Sequence, residues 1–71
     1  MEFDDAATYP LIVNDGTVGL DVDDITMNNA GTLNIYGTGR INVTDDFEFL
    51  TTDASKVNNY MTGTFTITDL S

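Results

Sequence analysis

The chain of 71 residues contains no cysteine and no histidine. The lack of cysteine excludes disulfides and thiolate–zinc sites. The lack of histidine removes the commonest transition-metal ligand and the usual general base. No apolar run approaches the ~18 residues of a membrane-spanning helix, and the acidic start of the sequence is unlike a signal peptide. We therefore expect a protein made in the cytoplasm, which does not exclude later assembly into an exported particle.

Basic residues are almost absent, since only Arg40 and Lys56 stand against 12 acidic residues, for a formal net charge of −10. Such a surface repels phosphate backbones and anionic lipids, so we expect neither nucleic acid nor membrane as a partner. It attracts basic partners and divalent cations, although the charge alone is also explained by solubility.

The small size of the chain limits its stability. A domain of this length buries only about 60% of the surface that its unfolded chain exposes. Natural domains of this size usually add a disulfide, a metal or a partner subunit. Without cysteine, what remains is a carboxylate-bound cation such as calcium, or oligomerisation. We expect a homo-oligomer.

Apolar residues recur with a period of two, which predicts strands that have one buried and one wet face. The predicted class is all-β: a small antiparallel sheet, sandwich or barrel built from hairpins. The alternating apolar residues are Val18, Leu20 and Val22; Leu33 and Ile35; Ile41 and Val43; Phe65 and Ile67.

Glycine-rich turns separate these strands. Asn14-Asp15-Gly16 and Gly37-Thr38-Gly39 each predict a hairpin, because glycine adopts the left-handed conformation that such turns need. Pro10 lacks a backbone donor and marks the first strand as an edge. Residues 53–57 are either a loop or one helical turn with Asp53 as its N-cap.

One motif recurs, a glycine followed by two apolar residues that flank one spacer. It begins at Gly16, Gly31, Gly39 and Gly63. Each copy is a turn followed by a half-buried strand. Because the intervals between copies are irregular, we expect a hairpin-built sheet or small barrel rather than a regular solenoid.

The chain divides into an acidic N-terminal arm, residues 1–8, and a single β domain, residues 9–71. The arm has no hydrophobic period and three acidic residues, with Phe3 as its one anchor. Such a segment is flexible alone and becomes ordered against a neighbour, although frayed termini have the same composition.

The acidic residues form pairs, of which Asp21 and Asp23 share a strand face. These two are the candidate cation ligands, and calcium is the candidate cofactor. An EF-hand is excluded, because loop positions six and twelve hold Thr26 and Thr32 instead of glycine and glutamate. Solvated strand and turn residues also explain the pairs, and we prefer that interpretation, with no cofactor. No nucleophile elbow, phosphate loop or dinucleotide motif is present, so we expect no enzyme.

Large apolar residues cluster in the second half of the chain. Phe47 and Phe49 share a strand face while Leu50 points the other way, so something is expected to cover the second face. Tyrosine and methionine are enriched at interfaces. A single core with a stray leucine is the alternative. The predicted interface residues are Phe3, Phe47, Phe49, Leu50, Tyr60, Met61 and Phe65.

The arm 1–8, the hairpin 11–22 and the glycine-rich run 31–44 together resemble the small cysteine-free β proteins that decorate tailed-bacteriophage heads. The resemblance implies a virion structural (cement) protein, often trimeric, that clamps subunits of the major capsid protein. Tail-fibre and spike segments share this style and are an alternative. A calcium-dependent binding or adhesion module and an acidic regulator that mimics nucleic acid are further alternatives.

Overall fold

The computed structural model describes residues 1–50 and 54–71, and these form strands and no helix. The predicted all-β class is confirmed. No helix in the described ranges could cross a membrane. The strands are β1 (Glu2–Phe3), β2 (Thr8–Ile12), β3 (Leu20–Val22), β4 (Ile25–Met27), β5 (Thr32–Tyr36), β6 (Arg40–Phe49), β7 (Lys56–Asn59) and β8 (Thr64–Leu70).

Every strand pair recorded in these ranges is parallel, so the predicted antiparallel sheet is wrong. One sheet has the order β2-β5-β7, and the other joins β1, β4, β6, β3 and β8. Both hairpin predictions fail, because the strands that flank each turn belong to different sheets. A glycine turn lets the chain change direction at a corner as readily as in a hairpin.

The register shows a coil repeat. Thr8 pairs with Thr32 and Thr32 with Lys56, so each step along this face takes 24 residues. Arg40 pairs with Thr64 at the same interval. The chain therefore winds into a parallel β-solenoid with coil 1 (residues 8–27), coil 2 (32–49) and coil 3 (56–70). The prediction against a solenoid was wrong.

The irregular spacing of the glycine motif has a simple cause. The interval from Gly31 to Gly39 separates two faces of one coil, whereas the interval from Gly39 to Gly63 is a full coil of 24 residues. Corners also differ in length: seven residues join Ile12 to Leu20 in coil 1. A solenoid needs only that stacked strands keep their register, so insertions at corners are tolerated.

The long corner of coil 1, residues 13–19, is held by side chains. The guanidinium of Arg40 donates from Nη2 to the carbonyls of Thr17 at 3.3 Å and Val18 at 2.7 Å. Asp15 Oδ1 accepts the backbone N–H groups of Thr17 at 2.8 Å and Val18 at 3.2 Å. These two hydrogen bonds, helped by the charge of Arg40, hold the pKa of Asp15 below its ordinary value.

The core lies in the middle of the stack. Side chains that point inward form columns along the axis, such as Leu20–Ile41–Phe65 and Val22–Val43–Ile67. In each of these columns the member from coil 2 is buried, whereas the members above and below are half-buried. The fully buried side chains are Ile25, Met27, Leu33, Ile35, Ile41, Val43 and Phe47.

The residues predicted to form an arm, 1–8, run along coil 1. Met1 N donates to the carbonyl of Asp24 at 3.0 Å, and Thr26 N donates to the carbonyl of Met1 at 2.9 Å. The ring centroids of the half-buried Phe3 and Tyr9 lie 5.1 Å apart. This segment thus forms the lower end of the solenoid.

Two further predictions concern single residues. Pro10 lies in β2, an edge strand of its sheet as predicted. Of the optional helical turn at residues 53–57, Asp53 lies outside the described residues. Lys56 and Val57 belong to strand β7.

Candidate assembly surfaces

The predicted interface residue Phe47 belongs to the core, which corrects its assignment. Its side chain is 1% exposed, and it pairs with Ile25 in coil 1 and Leu70 in coil 3. It therefore offers almost no surface to a partner. The sequence showed that Phe47 and Phe49 share a strand face, but the register places Phe47 inside the stack and Phe49 near its upper rim.

The other predicted interface residues divide into two groups. Phe3, Met61 and Phe65 are half-buried against the core cluster. Phe49, Leu50 and Tyr60 are 38%, 56% and 57% exposed, which is unusual for side chains of this size. The structure brings Phe49 and Phe65 together at the upper end, and Tyr60 lies apart from them on the side of the solenoid.

The upper end of the solenoid carries an apolar hollow of about 210 Å³. Coil 3 is the last described coil, so its inward-pointing side chains are covered only from below. Leu70 is 67% exposed although it continues an interior column. The hollow is lined by Phe47, Phe49, Val57, Phe65, Ile67 and Leu70.

The lower end of the solenoid shows the same property. Side chains of coil 1 continue the interior columns downward and are half-buried. The residues of this face are Phe3, Tyr9, Leu11, Leu20 and Val22. Both ends of the solenoid therefore present interior positions to solvent. We call these surfaces the upper face (Val57, Phe65, Ile67, Leu70) and the lower face (the five residues above).

A stripe of large side chains runs along the outside of the solenoid. Ile12, Tyr36 and Tyr60 occupy equivalent positions in the three coils, since Ile12 pairs with Tyr36 and Tyr60 follows β7. The rings of Tyr36 and Tyr60 are stacked, with centroids 5.3 Å apart and an interplanar angle of 18°. Ile12 is 64% exposed. This lateral stripe is a second candidate contact surface.

Acidic residues stack at one corner. Carboxylate oxygens of Asp24, Asp45 and Asp46 lie within 4.8 Å of one another. Asp46 N donates to Asp24 Oδ1 at 3.1 Å. The charge of Asp45 raises the pKa of Asp46, with smaller contributions from partial desolvation and from Asp69, Asp24 and Glu48. The corner therefore holds mutually repelling charges.

The predicted cation ligands Asp21 and Asp23 are not members of that group. Both are exposed, and Asp23 Oδ1 accepts a hydrogen bond from Thr44 Oγ1 at 3.1 Å. Among the described residues, the carboxylates that the fold does bring together come from the bend after β3 (Asp24) and from β6 of the next coil (Asp45 and Asp46). Adjacent aspartates point to opposite sides of a regular strand, but the pairing of β6 with β8 shifts register between Val43 and Asp46. Asp45 and Asp46 lie at this irregularity, and stacking of the coils adds Asp24.

Removing one of these charges should stabilise the protein near neutral pH. A raised pKa means that folding favours protonated Asp46. The stability linked to that proton is complete below the ordinary pKa of 3.8 and is lost as pH rises through the raised pKa. We expect Asp46→Asn to raise the melting temperature at pH 7 and to leave it unchanged at pH 3, measured by circular dichroism.

Asp15→Asn is the matched control of opposite sign. Because its pKa is lowered, Asp15 stabilises the fold above pH 3.8, and that contribution is lost as pH falls through the lowered pKa. This variant should lower the melting temperature at pH 7. Equal changes in melting temperature for the two variants at pH 7 would show that repulsion among Asp24, Asp45 and Asp46 does not destabilise the fold.

Nine residues of these surfaces were not predicted from the sequence. Their common signal is a spacing of 21–24 residues that aligns them with interior or stripe positions of other coils, and corners of unequal length hid it. These residues are Tyr9, Leu11, Ile12, Leu20, Val22, Tyr36, Val57, Ile67 and Leu70.

Comparison of the chain with protein-family models, with curated proteins and with solved structures gives no match. The solenoid, its upper and lower faces and its lateral stripe are therefore the features that point to a function.

Proposed function

We propose that this chain is a non-enzymatic structural module, a short β-solenoid that forms part of a fibre or spike of a virion. The observation that carries the proposal is the exposure of interior positions at the two ends of the described stack. Interior columns such as Leu20–Ile41–Phe65 reach solvent at both the lower and the upper face. Repeat folds of this kind need something to cover their terminal repeats.

The way in which a solenoid grows favours the fibre or spike alternative over head decoration. Coils add along one axis at about 4.8 Å each, so the three coils account for only the shortest of the dimensions 34 × 22 × 14 Å, and a fibre would be built by stacking more coils on this axis. Head decoration, in which a trimer clamps the major capsid protein, rests on the sequence resemblance. In that alternative the lateral stripe of Ile12, Tyr36 and Tyr60 would be the contact surface.

The absence of catalysis in this proposal follows from the surroundings of the candidate groups. The apolar hollow is lined by hydrocarbon and aromatic side chains alone. The carboxylates of Asp45 and Asp46 do not line this hollow, and Asp45 is exposed while Asp46 is half-buried. Acid–base chemistry on a sugar requires a pair of carboxylates around an enclosed substrate, one of them held protonated by its environment.

A calcium-dependent binding module is the second candidate, and it would use the corner of Asp24, Asp45 and Asp46 rather than Asp21 and Asp23. Carboxylate oxygens are the ligands that calcium prefers. Calorimetric titration with calcium, together with a melting curve, tests this function. Heat of binding and a higher melting temperature with calcium, both lost in Asp46→Asn, would support this function. No heat of binding and no change in melting temperature would exclude it.

Immunogold electron microscopy tests the virion proposal. Antibodies raised against the chain would be applied to particles purified from a culture that produces it. Gold on fibres or spikes is the expected result. Gold distributed over the head would favour the decoration alternative instead, and particles without any label would contradict a virion role.

A further inference from the structure

The upper and lower faces are the two ends of one repeating structure. We infer that the upper face docks the lower face of a second copy of this chain, so that copies stack head to tail along the solenoid axis. This inference rests on the proposed function and names the partner that covers the open end.

The interior columns supply the complementarity. Within the chain, Tyr9 of coil 1 pairs with Leu33 of coil 2, and Leu33 pairs with Val57 of coil 3. A second copy placed one step higher sets its Tyr9 over Val57. In the same step its Leu20 lies over Phe65, and its Val22 lies over Ile67. The joint therefore continues an interface that already exists between the coils.

The backbone also favours this continuation. β2 and β7 are the two edge strands of the three-stranded sheet. Each edge presents a row of N–H and C=O groups that another parallel strand can satisfy. In the stacked arrangement β2 of the upper copy pairs with β7 of the lower copy, and β3 pairs with β8. The head-to-tail geometry is a heterologous contact, which repeats without closing and so produces a fibre.

Stacking requires one local exchange. Hydrogen bonds to Asp24 and Thr26 place Met1 opposite Ile25. Ile25 pairs with Phe47, and Phe47 pairs with Leu70. Leu70 of a lower copy would therefore occupy the place of Met1 in the upper copy, and Ser71 the place of Glu2.

The exchange is undemanding because β1 is short, with only Glu2 and Phe3 in the strand. Leu70 and Ser71 of the lower copy would replace Met1 and Glu2 beneath Ile25 and Thr26 of the upper copy. The released residues belong to the segment that the sequence analysis predicted to be an arm.

Charge opposes the stacking and makes it measurable. Each copy carries a net charge of −10, and Asp69 of the lower copy would approach Asp23 and Asp24 of the upper copy. Salt screens such repulsion.

Asn59 also opposes the stacking, because it is a polar side chain in the interior column of Leu11 and Ile35. Its Oδ1 already accepts a hydrogen bond from Met61 N at 3.0 Å.

Sedimentation velocity of the full chain over a range of concentration and sodium chloride tests the inference. We expect association that strengthens with salt. Leu70→Asp should weaken association about tenfold or more, because it puts a charge where an apolar side chain would be buried. Val18→Asp is the matched control, since Val18 is 66% exposed against 67% for Leu70 and lies on a lateral corner.

Two further variants should strengthen association. Asn59→Ile restores an apolar residue to an interior column. Deletion of residues 1–2 removes the segment that the lower copy must displace. Circular dichroism would be used to check that each variant is folded. A chain that stays monomeric in all these forms, or equal weakening by Leu70→Asp and Val18→Asp, would refute the stacking.

Cysteine cross-linking tests the direction and register, and the native chain has no cysteine to interfere. Thr8→Cys and Lys56→Cys, mixed under oxidising conditions, should give a disulfide-linked dimer. Their Cα atoms would be about 4.8 Å apart, within the range that a disulfide bridges. Lys56→Cys alone should give little dimer. Equal yields from Lys56→Cys alone would contradict the head-to-tail direction.

The outcomes separate the two proposals. Gold on fibres or spikes together with a monomeric chain would refute the stacking and leave the virion role standing. Self-association of the chain without any labelled particle would support the stacking and contradict the virion role.

Discussion

Phe47→Ala is expected to lower the free energy of unfolding by about 3–5 kcal/mol, the range for removing a large aromatic side chain from a core. Phe47 is 1% exposed and lies at 5.7 Å from the ring of Phe49 and 6.2 Å from that of Phe65. A domain of this size has a total stability of only about 4–11 kcal/mol. Urea denaturation followed by circular dichroism should show a midpoint at much lower urea, and a variant that is unfolded without urea where the parent stability lies at the lower end of that range.

Leu50→Ala is the control for this effect. Leu50 is 56% exposed and was predicted as an interface residue together with Phe47. Its replacement should change the stability by no more than about 0.5 kcal/mol, as is usual for surface positions. If Phe47→Ala were as stable as Leu50→Ala, the interior position of Phe47, and with it the register of β6, would be wrong.

Gly63→Ala is expected to produce the second large effect, a loss of about 3 kcal/mol. A Cβ atom at residue 63 would lie 1.9 Å from the carbonyl oxygen of Gly39 and 2.7 Å from the carbonyl carbon of Thr38. Both are backbone atoms of the coil below, so neither can move aside as a flexible side chain would. Overpacking of this kind typically costs about 1–3 kcal/mol. Thermal and urea unfolding measure the loss.

Gly16→Ala is the matched control, because a Cβ atom there would have no neighbour within 4 Å. This variant should be neutral or slightly stabilised, since alanine restricts the unfolded chain. The two substitutions make the same chemical change at a corner of the solenoid. Equal stabilities would show that the coils do not stack as closely at Gly63 as the structure places them.

Local features of the fold could be predicted from the sequence. The alternation in residues 32–35, 40–44 and 64–68 predicted strands that the structure contains. The period of two is a property of the extended backbone, whatever strand lies beside it. The edge position of Pro10 was also predictable, because proline lacks the backbone N–H that a strand inside a sheet would donate.

The candidate site was predicted less completely. Phe3, Phe49, Leu50, Tyr60, Met61 and Phe65 were recognised as large apolar side chains in so small a chain. Val57, Ile67 and Leu70 were not, because as single residues they are ordinary strand residues. They become an uncovered surface only when the 24-residue register shows that no described coil lies above them.

The sequence by itself determined that this protein is all-β, acidic and free of cysteine, and it determined where most strands lie. Only the tertiary structure decided that the strands are parallel, that Phe47 points into the core and that interior positions of the first and last described coils reach solvent. The physical reason is that alternation and turn glycines act within a few residues. The choice of partner strand depends on contacts between residues about 24 positions apart.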